Sequence, residues 1–200
     1  MSPRRYRMAA RRAAVDETRR RILDAAVHLH GHRGAVATTW DDIAAAAGVS
    51  RATVYHHFRS LDELVPACAQ VAFDLIDVPT PEQAKERFAG LSSPRARLAH
   101  FVVESCRCYA AGADWLRAAW RERDLVPALG AAVERLQRAL HVLLEAALEG
   151  IELDGERALV VAVLVDFPFW DALDRAGVSR ERIAERVMQL VEAQLPSGGR

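Results

Sequence analysis

The chain has 200 residues, about half of them apolar, with 27 basic and 27 acidic side chains and a formal net charge of zero. That composition excludes wholesale disorder, and the neutral sum taken alone argues against a nucleic-acid partner. The sum hides a split: residues 1–60 hold eleven Arg against five carboxylates, a surplus of +6, and residues 61–200 hold the opposite balance of −6, the pattern of a nucleic-acid-binding segment joined to something else. Alanine (37 copies) and arginine (26, against one lysine) dominate. Both are good helix formers, and no run of alternating β-branched residues competes with them. The expected fold class is all-α, with nine to ten helices.

Residues 1–15 are Arg- and Ala-rich and read as a flexible basic arm or the frayed start of a helix. From Asp16 a helix is predicted, with Ile22, Ala26 and Leu29 on one face and Gly34 as its left-handed stop. Thr39-Trp40-Asp41-Asp42 has the form of a capping box and opens a second helix that ends at Ala47-Gly48. Ser50 caps a third, Arg51 to Phe58, and Ser60-Leu61-Asp62-Glu63 opens a fourth that runs to about Ile76. Pro79 and Pro81 mark a linker. Further helices are predicted over 81–88, 94–110, 115–123, 125–148, 155–176 and 179–195, separated by Gly and Pro positions.

Residues 39–58, TWDDIAAAAGVSRATVYHHF, carry the strongest signal. Ala44 followed four residues later by Gly48 suits a helix-turn-helix, in which two closely crossing helices need a small residue and the turn needs a positive φ. With Val54 turned inward, the 100° step per residue points Ala52 and His56 outward and sets Thr53 and Tyr55 to either side. Arg51 sits at the start of this helix, where recognition helices most often reach base edges. Arg51, Thr53, Tyr55 and His56 can all donate to bases or phosphates.

Residues 20–65 resemble the N-terminal domain of TetR-family transcriptional regulators. The matching runs are Arg21–Ala26, Arg33-Gly34, Thr38-Thr39, Asp42–Ala44, Ala47–Ser50, Thr53–Tyr55, His57-Phe58 and Asp62–Leu64. The resemblance implies a homodimer on double-stranded DNA, with paired recognition helices in successive major grooves of a pseudo-palindromic operator. It implies a phosphate contact for Thr39, places Ser50 and Arg51 at the start of the recognition helix and Thr53 on its face, and sets Tyr55, His56 and His57 at bases or phosphates; Phe58 is a core residue. Three positions depart from the family pattern: His30 stands where an aromatic is common, Asp41 where an Arg is frequent and Leu61 where a Lys is frequent. The arm (Arg4, Arg5, Arg7, Arg11, Arg12) is expected to supply compensating contacts. The implied division is an arm (1–15), a helix-turn-helix domain (16–65) and a ligand-binding and dimerisation domain (66–200).

In that last part, Ile183, Val187, Leu190 and Val191 recur at helical spacing, as do Leu159, Val163, Phe167 and Trp170. Two such helices carry more apolar surface than one chain readily buries, which suggests a four-helix dimer seam, with ordinary core packing as the other reading. The resemblance favours dimerisation. Phe73, Phe101, Tyr109, Trp115 and Trp120 are candidates for lining an inducer pocket. Asp166, inside an apolar run, either orients a ligand or pairs with an Arg, and Pro168 two residues later is expected to kink that helix and free carbonyls. His100, Cys106 and Cys108 are not set on one helical face, and His28, His30 and His32 are scattered by their alternate spacing, so no metal site is expected. The three cysteines, Cys68 included, read as reduced thiols, and no catalytic residue, cofactor or membrane span is expected. The predicted function is a cytoplasmic DNA-binding regulator, a repressor released by a small-molecule inducer. Two other readings stand beside it: a DNA-binding dimer without an inducer, and a small helical enzyme, for which no phosphate loop, carboxylate pair or nucleophile signature is present.

Overall fold

The computed structural model describes residues 3–75 and 80–196, with the side chains of 3–7, 9, 73–75, 81 and 85 outside the description. Among the described residues there are ten helices and no strand. The chain forms two compact units, one of residues 1–73 and 117–132, the other of residues 74–116 and 133–200.

In the first unit, α1 (Pro3–Arg33) is continuous from Pro3, so the stretch expected as an arm has helical backbone. No breaker separates it from the rest of the helix, and Ala and Arg favour the conformation. The helix stops at Gly34, whose φ of 93° only glycine adopts freely. After a short turn, Thr39 caps α2 (Trp40–Ala47) through the reciprocal bonds of a capping box, and Gly48 ends it with a φ of 65°. Ser50 then caps α3 (Arg51–His57), and Phe58 leaves it in an extended conformation. These helices and α4 (Leu61–Leu75) close around Ile22, Leu23, Ala26, Ile43, Ala44, Val54, Phe58, Leu64 and Cys68. Val54 is fully buried and Phe58 nearly so. Burying side chains of this size is worth about 2 kcal/mol each, and it fixes the rotation of α3 against α2.

The second unit holds α5 (Pro81–Arg87), most of α6 (Pro94–Glu122) and α7 (Pro127–Leu148), and the closing helices α8 (Gly155–Val165), α9 (Phe167–Arg175) and α10 (Arg180–Glu192). The predicted pieces 94–110 and 115–123 are one helix with a kink at Gly112, which leaves helical angles without ending the helix. The predicted helix over 155–176 is two. Asp166 is extended, ends α8 and caps α9, accepting the Phe167 N–H at 2.8 Å. Pro168 lacks a backbone donor and is tolerated because it falls in the first turn of α9. Pro79 and the predicted end of α4 at Ile76 lie outside the described residues.

An aromatic cluster forms the heart of this unit. Tyr109 packs against Phe167 at 5.5 Å and Trp170 at 6.1 Å between ring centres, and Phe167 stacks on Trp170 at 5.8 Å. The buried Tyr109 hydroxyl donates to the Val165 carbonyl at 2.9 Å, satisfying the end of α8 where the helix breaks. Burial, followed by the charge of Asp166, raises the Tyr109 phenol well above its ordinary range. Tyr109→Phe removes that donor and strands a buried carbonyl, so an equilibrium urea titration should show a loss of about 1–3 kcal/mol. An unchanged midpoint would mean that water satisfies the carbonyl instead.

The break at Asp166 divides the residues expected at a dimer seam. Leu159 and Val163 on α8 are 70% and 64% exposed, and Leu190 on α10 is 44% exposed. Phe167, Trp170, Ile183, Val187 and Val191 are buried inside this single chain. A straight helix over 155–176 would have kept Leu159, Val163, Phe167 and Trp170 on one side. The extended Asp166 resets the phase, so the first two face out and the last two face in.

Candidate nucleic-acid interface

The outward surface of α2 and α3 is built from caps. The Thr39 hydroxyl accepts the Asp42 N–H at 3.1 Å and donates to the Asp42 carboxylate at 2.7 Å, while the Thr39 N–H reaches the same carboxylate at 3.0 Å. These bonds from Thr39, with Arg33 at 3.6 Å, hold the Asp42 carboxyl below its ordinary pKa. Ser50 accepts the Thr53 N–H at 3.1 Å, and the two hydroxyls lie 2.8 Å apart. Arg21 donates to the carbonyls of Ala47 and Gly48, covering the C-terminus of α2 just before the turn. This is a cation at the negative end of a helix.

Arg51 stands on the first turn of α3. Its guanidinium donates to Asp41 at 2.9 Å and to the Tyr55 hydroxyl at 3.4 Å, and lies 5.5 Å from the Tyr55 ring centre. The Tyr55 ring also meets Trp40, at 5.1 Å between ring centres. Asp41, Trp40, Tyr55 and Arg51 therefore form one cluster across the helix-turn-helix, exposed except for Trp40, which is half-buried. Ala52 and His56 are exposed as the helical step requires. The His56 and His57 rings meet edge to face at 5.6 Å. Partial burial, then His56 and Arg19, lowers the His57 pKa. Arg19 itself lies over the buried Phe58 ring at 4.8 Å.

The expected residues Thr39, Ser50, Arg51, Thr53, Tyr55, His56 and His57 thus gather on the α2–α3 corner. Sequence reasoning missed Trp40 and treated Asp41 only as a lost contact. No periodicity could have found either, because their partners lie across the turn on another helix. Of the arm, Arg11 and Arg12 are exposed, while the side chains of Arg4, Arg5 and Arg7 lie outside the described residues.

The expected pocket residues are not brought together in the same way. Phe101, Tyr109 and Trp115 are buried in the second unit. Trp120 is half-buried in the first unit, and the Phe73 side chain lies outside the described residues. Asp166 is bound by the Gln137 amide at 2.9 Å and the Phe167 N–H, where an arginine partner was expected. It lines a cavity of about 160 Å³ with Gln137, His141, Leu140, Leu144, Ala162 and Val165. A larger one, about 530 Å³, lies between α6 and α10 beside Val103, Cys106, Ala110, Ala184 and Met188, with Arg107, Arg180, Glu181 and Glu185 at its edge.

Burial pushes the Cys68 and Cys106 thiols up to about 12, so both stay protonated. Among the described residues no three His, Cys, Asp or Glu side chains stand together as a metal site. His28 and His32 are less scattered than their spacing from His30 suggested: four residues apart, their rings meet at 4.4 Å on one face of α1.

Residues 22–68 match the family model described as bacterial regulatory proteins of the tetR family. The transcriptional dual regulator CecR of Shigella flexneri is 33% identical over 95 residues, which are 46% of this chain and 42% of that protein. The chain thus spans less than half the length of this curated relative. Among solved structures, a TetR-family transcriptional regulator from Rhodococcus sp. superposes with a TM-score of 0.68 over 89% of this chain and 98% of that one, at 21% identity. The TetR-like regulator LfrR from Mycobacterium smegmatis, solved in complex with proflavine, gives 0.56 over 92% and 99%, at 27% identity. These relatives are regulators of transcription. The N-terminal segment over residues 22–68, with its capped helix-turn-helix, matches the tetR family of bacterial regulatory proteins, and the all-helical fold is that of the solved regulators.

Proposed function

We propose that the chain is a cytoplasmic homodimeric repressor that binds a pseudo-palindromic operator through α3 and is released by a small molecule. One observation carries the DNA part of this reading: Arg51 and Tyr55 are held together on the exposed face of α3 while Val54, between them, is fully buried. The surplus of +6 over residues 1–60 supplies the electrostatic attraction to phosphates. In this reading Thr39 takes a phosphate, and Ser50, Thr53, His56 and His57 flank Arg51 and Tyr55 on the operator.

The Arg51–Asp41 pair does not oppose this. Both side chains are more than half exposed, and an exposed pair is worth about 0–1 kcal/mol. A bidentate Arg–guanine contact is worth about 1–3 kcal/mol, so DNA wins the guanidinium. Asp41 parks Arg51 in the free protein and gives it up to a base.

Leu159, Val163 and Leu190, the outward members of the expected seam, form the dimer contact in this reading. The effector is proposed from the relative LfrR, which was solved with proflavine, and from the two cavities of the second unit. Phe101, Tyr109, Trp115 and Asp166 would respond to it.

Selection of bound duplexes from random DNA identifies the operator and tests the reading directly. Against that operator, Arg51→Ala is expected to cost about 1–3 kcal/mol and to relax preference at one base position. Tyr55→Phe is expected to weaken binding more uniformly across sequences. If both variants bind as the wild type does, α3 is not the reading helix. A thermal-shift screen of small molecules, followed by operator release, tests the effector.

A further inference from the structure

We infer that Glu122, far from the helix-turn-helix in sequence, is a positioning residue for operator binding: its buried carboxylate fixes the turn that aims α2 and α3. The inference rests on the DNA-binding reading above and adds a residue to it.

The turn between α1 and α2 covers residues 34–39. Its middle has little to pack with, since the side chains of Val36 and Ala37 are exposed. Ala35 is buried beside it, and the rest of the hold is polar. The Val36 N–H donates to Glu122 Oε2 at 3.0 Å. Arg121 donates to Glu122 Oε1 at 3.0 Å and reaches the Arg33 carbonyl, at the end of α1, at 3.5 Å. The Thr38 hydroxyl closes the turn on the Gly34 carbonyl at 2.6 Å. The next residue, Thr39, is the cap of α2, so the path of this turn sets the start of the helix-turn-helix.

Two further features are fitted to the carboxylate. A Cβ on Gly34 would fall 1.7 Å from Glu122 Oε1, so the left-handed glycine also makes room for the acid. Glu122 is only 5% exposed. A buried carboxylate adds little net stability compared with an apolar residue of the same size. What it supplies is direction, an acceptor that only one path of the turn can satisfy.

The experiment uses the whole chain and measures affinity for the selected operator and for random duplex DNA, with hydrogen exchange at the Val36 amide. For Glu122→Ala, operator affinity should fall about tenfold to a hundredfold, the range for losing a hydrogen bond to a charged group. Random-duplex affinity should change by less than about twofold, because non-specific binding follows phosphate charge and not the aim of α3. Val36 should lose its exchange protection. Glu122→Gln keeps an acceptor oxygen and should restore most of the operator affinity.

Should Glu122→Ala fail to fold, Glu122→Asp, one methylene too short to reach Val36, carries the same comparison. Parallel loss on both DNAs would reduce Glu122 to a folding residue and overturn the inference. So would operator binding equal to wild type. A wild-type chain that prefers no duplex sequence would sink the DNA-binding reading itself, and this inference with it.

Discussion

If the proposed dimer forms through α8, a Leu159→Glu, Val163→Glu double variant is expected to run as a folded monomer at concentrations where the wild type dimerises, and to lose operator affinity by about a hundredfold or more. The two positions are one helical turn apart on α8, and both side chains face out of the protomer. Val160 and Leu190 extend the same kind of exposed apolar surface. Burying a Leu or Val completely is worth about 1.5–3 kcal/mol, so the four copies in a dimer contribute several kcal/mol, and four facing carboxylates would replace that with repulsion. Operator affinity falls because two linked half-site contacts become two separate ones, an effect of about 10²–10⁴ without any change at the DNA surface. Light scattering with size exclusion reads the oligomer, and circular dichroism checks the fold. The protomer's own core contains neither side chain, so its thermal unfolding should stay cooperative. A double variant that remains dimeric would place the seam elsewhere.

The second large effect is a pH dependence centred on His30. This imidazole is 3% exposed at the end of α1, and its Nε2 has no hydrogen-bond partner. Burial pulls its pKa from the ordinary 6.5 down to about 4, against the opposing influence of Glu122. Between those two values the unfolded chain binds a proton that the folded chain refuses. The stability held above pH 6.5 is therefore lost progressively as pH falls towards 4. At about 1.4 kcal/mol per pKa unit, the whole loss is about 3 kcal/mol. His30→Phe, which places an aromatic in the same slot, should remove this component. In urea titrations at a series of pH values from 7 to 4, wild type should lose that much stability relative to the variant. Parallel curves would mean that His30 finds a proton-accepting partner in solution.

Much of the first unit was legible because its signals are local. Thr39 and Asp42 are three residues apart and cap each other, and Gly34 and Gly48 occupy left-handed positions that few other residues take. Val54 inward with Ala52 and His56 outward follows from helix geometry once one residue is anchored. The features that escaped are those that depend on distant partners. Asp41 finds Arg51 across a turn, and Glu122 finds Val36 from 86 residues away. Neither pairing leaves a trace in the spacing of residues along one helix.

The closing helices failed to read for a different reason. Apolar periodicity reports that a helix has a greasy face, but it does not say whether the chain or a second copy covers that face. Ile183, Val187 and Val191 fit a seam as well as a core, and only packing shows them inside. Pro168 announces a kink in this stretch, but nothing in the spacing says that Asp166 ends one helix and caps the next, so the change of face is not legible. The start of α1 is open between an arm and a frayed helix start, because the Arg- and Ala-rich stretch has neither a cap nor a breaker to announce where the helix begins; its backbone is helical from Pro3.

That change of face has an evolutionary consequence. The outward residues of α8 can be rewritten while the Tyr109–Phe167–Trp170 interior keeps its shape, since the two sets sit on separately capped helices joined at Asp166. If α8 carries the dimer contact proposed above, a gene duplication would yield two regulators that stop exchanging subunits after a few substitutions at positions such as 159, 160 and 163, with no repacking of the interior. Partner choice and foldability would then drift independently of one another.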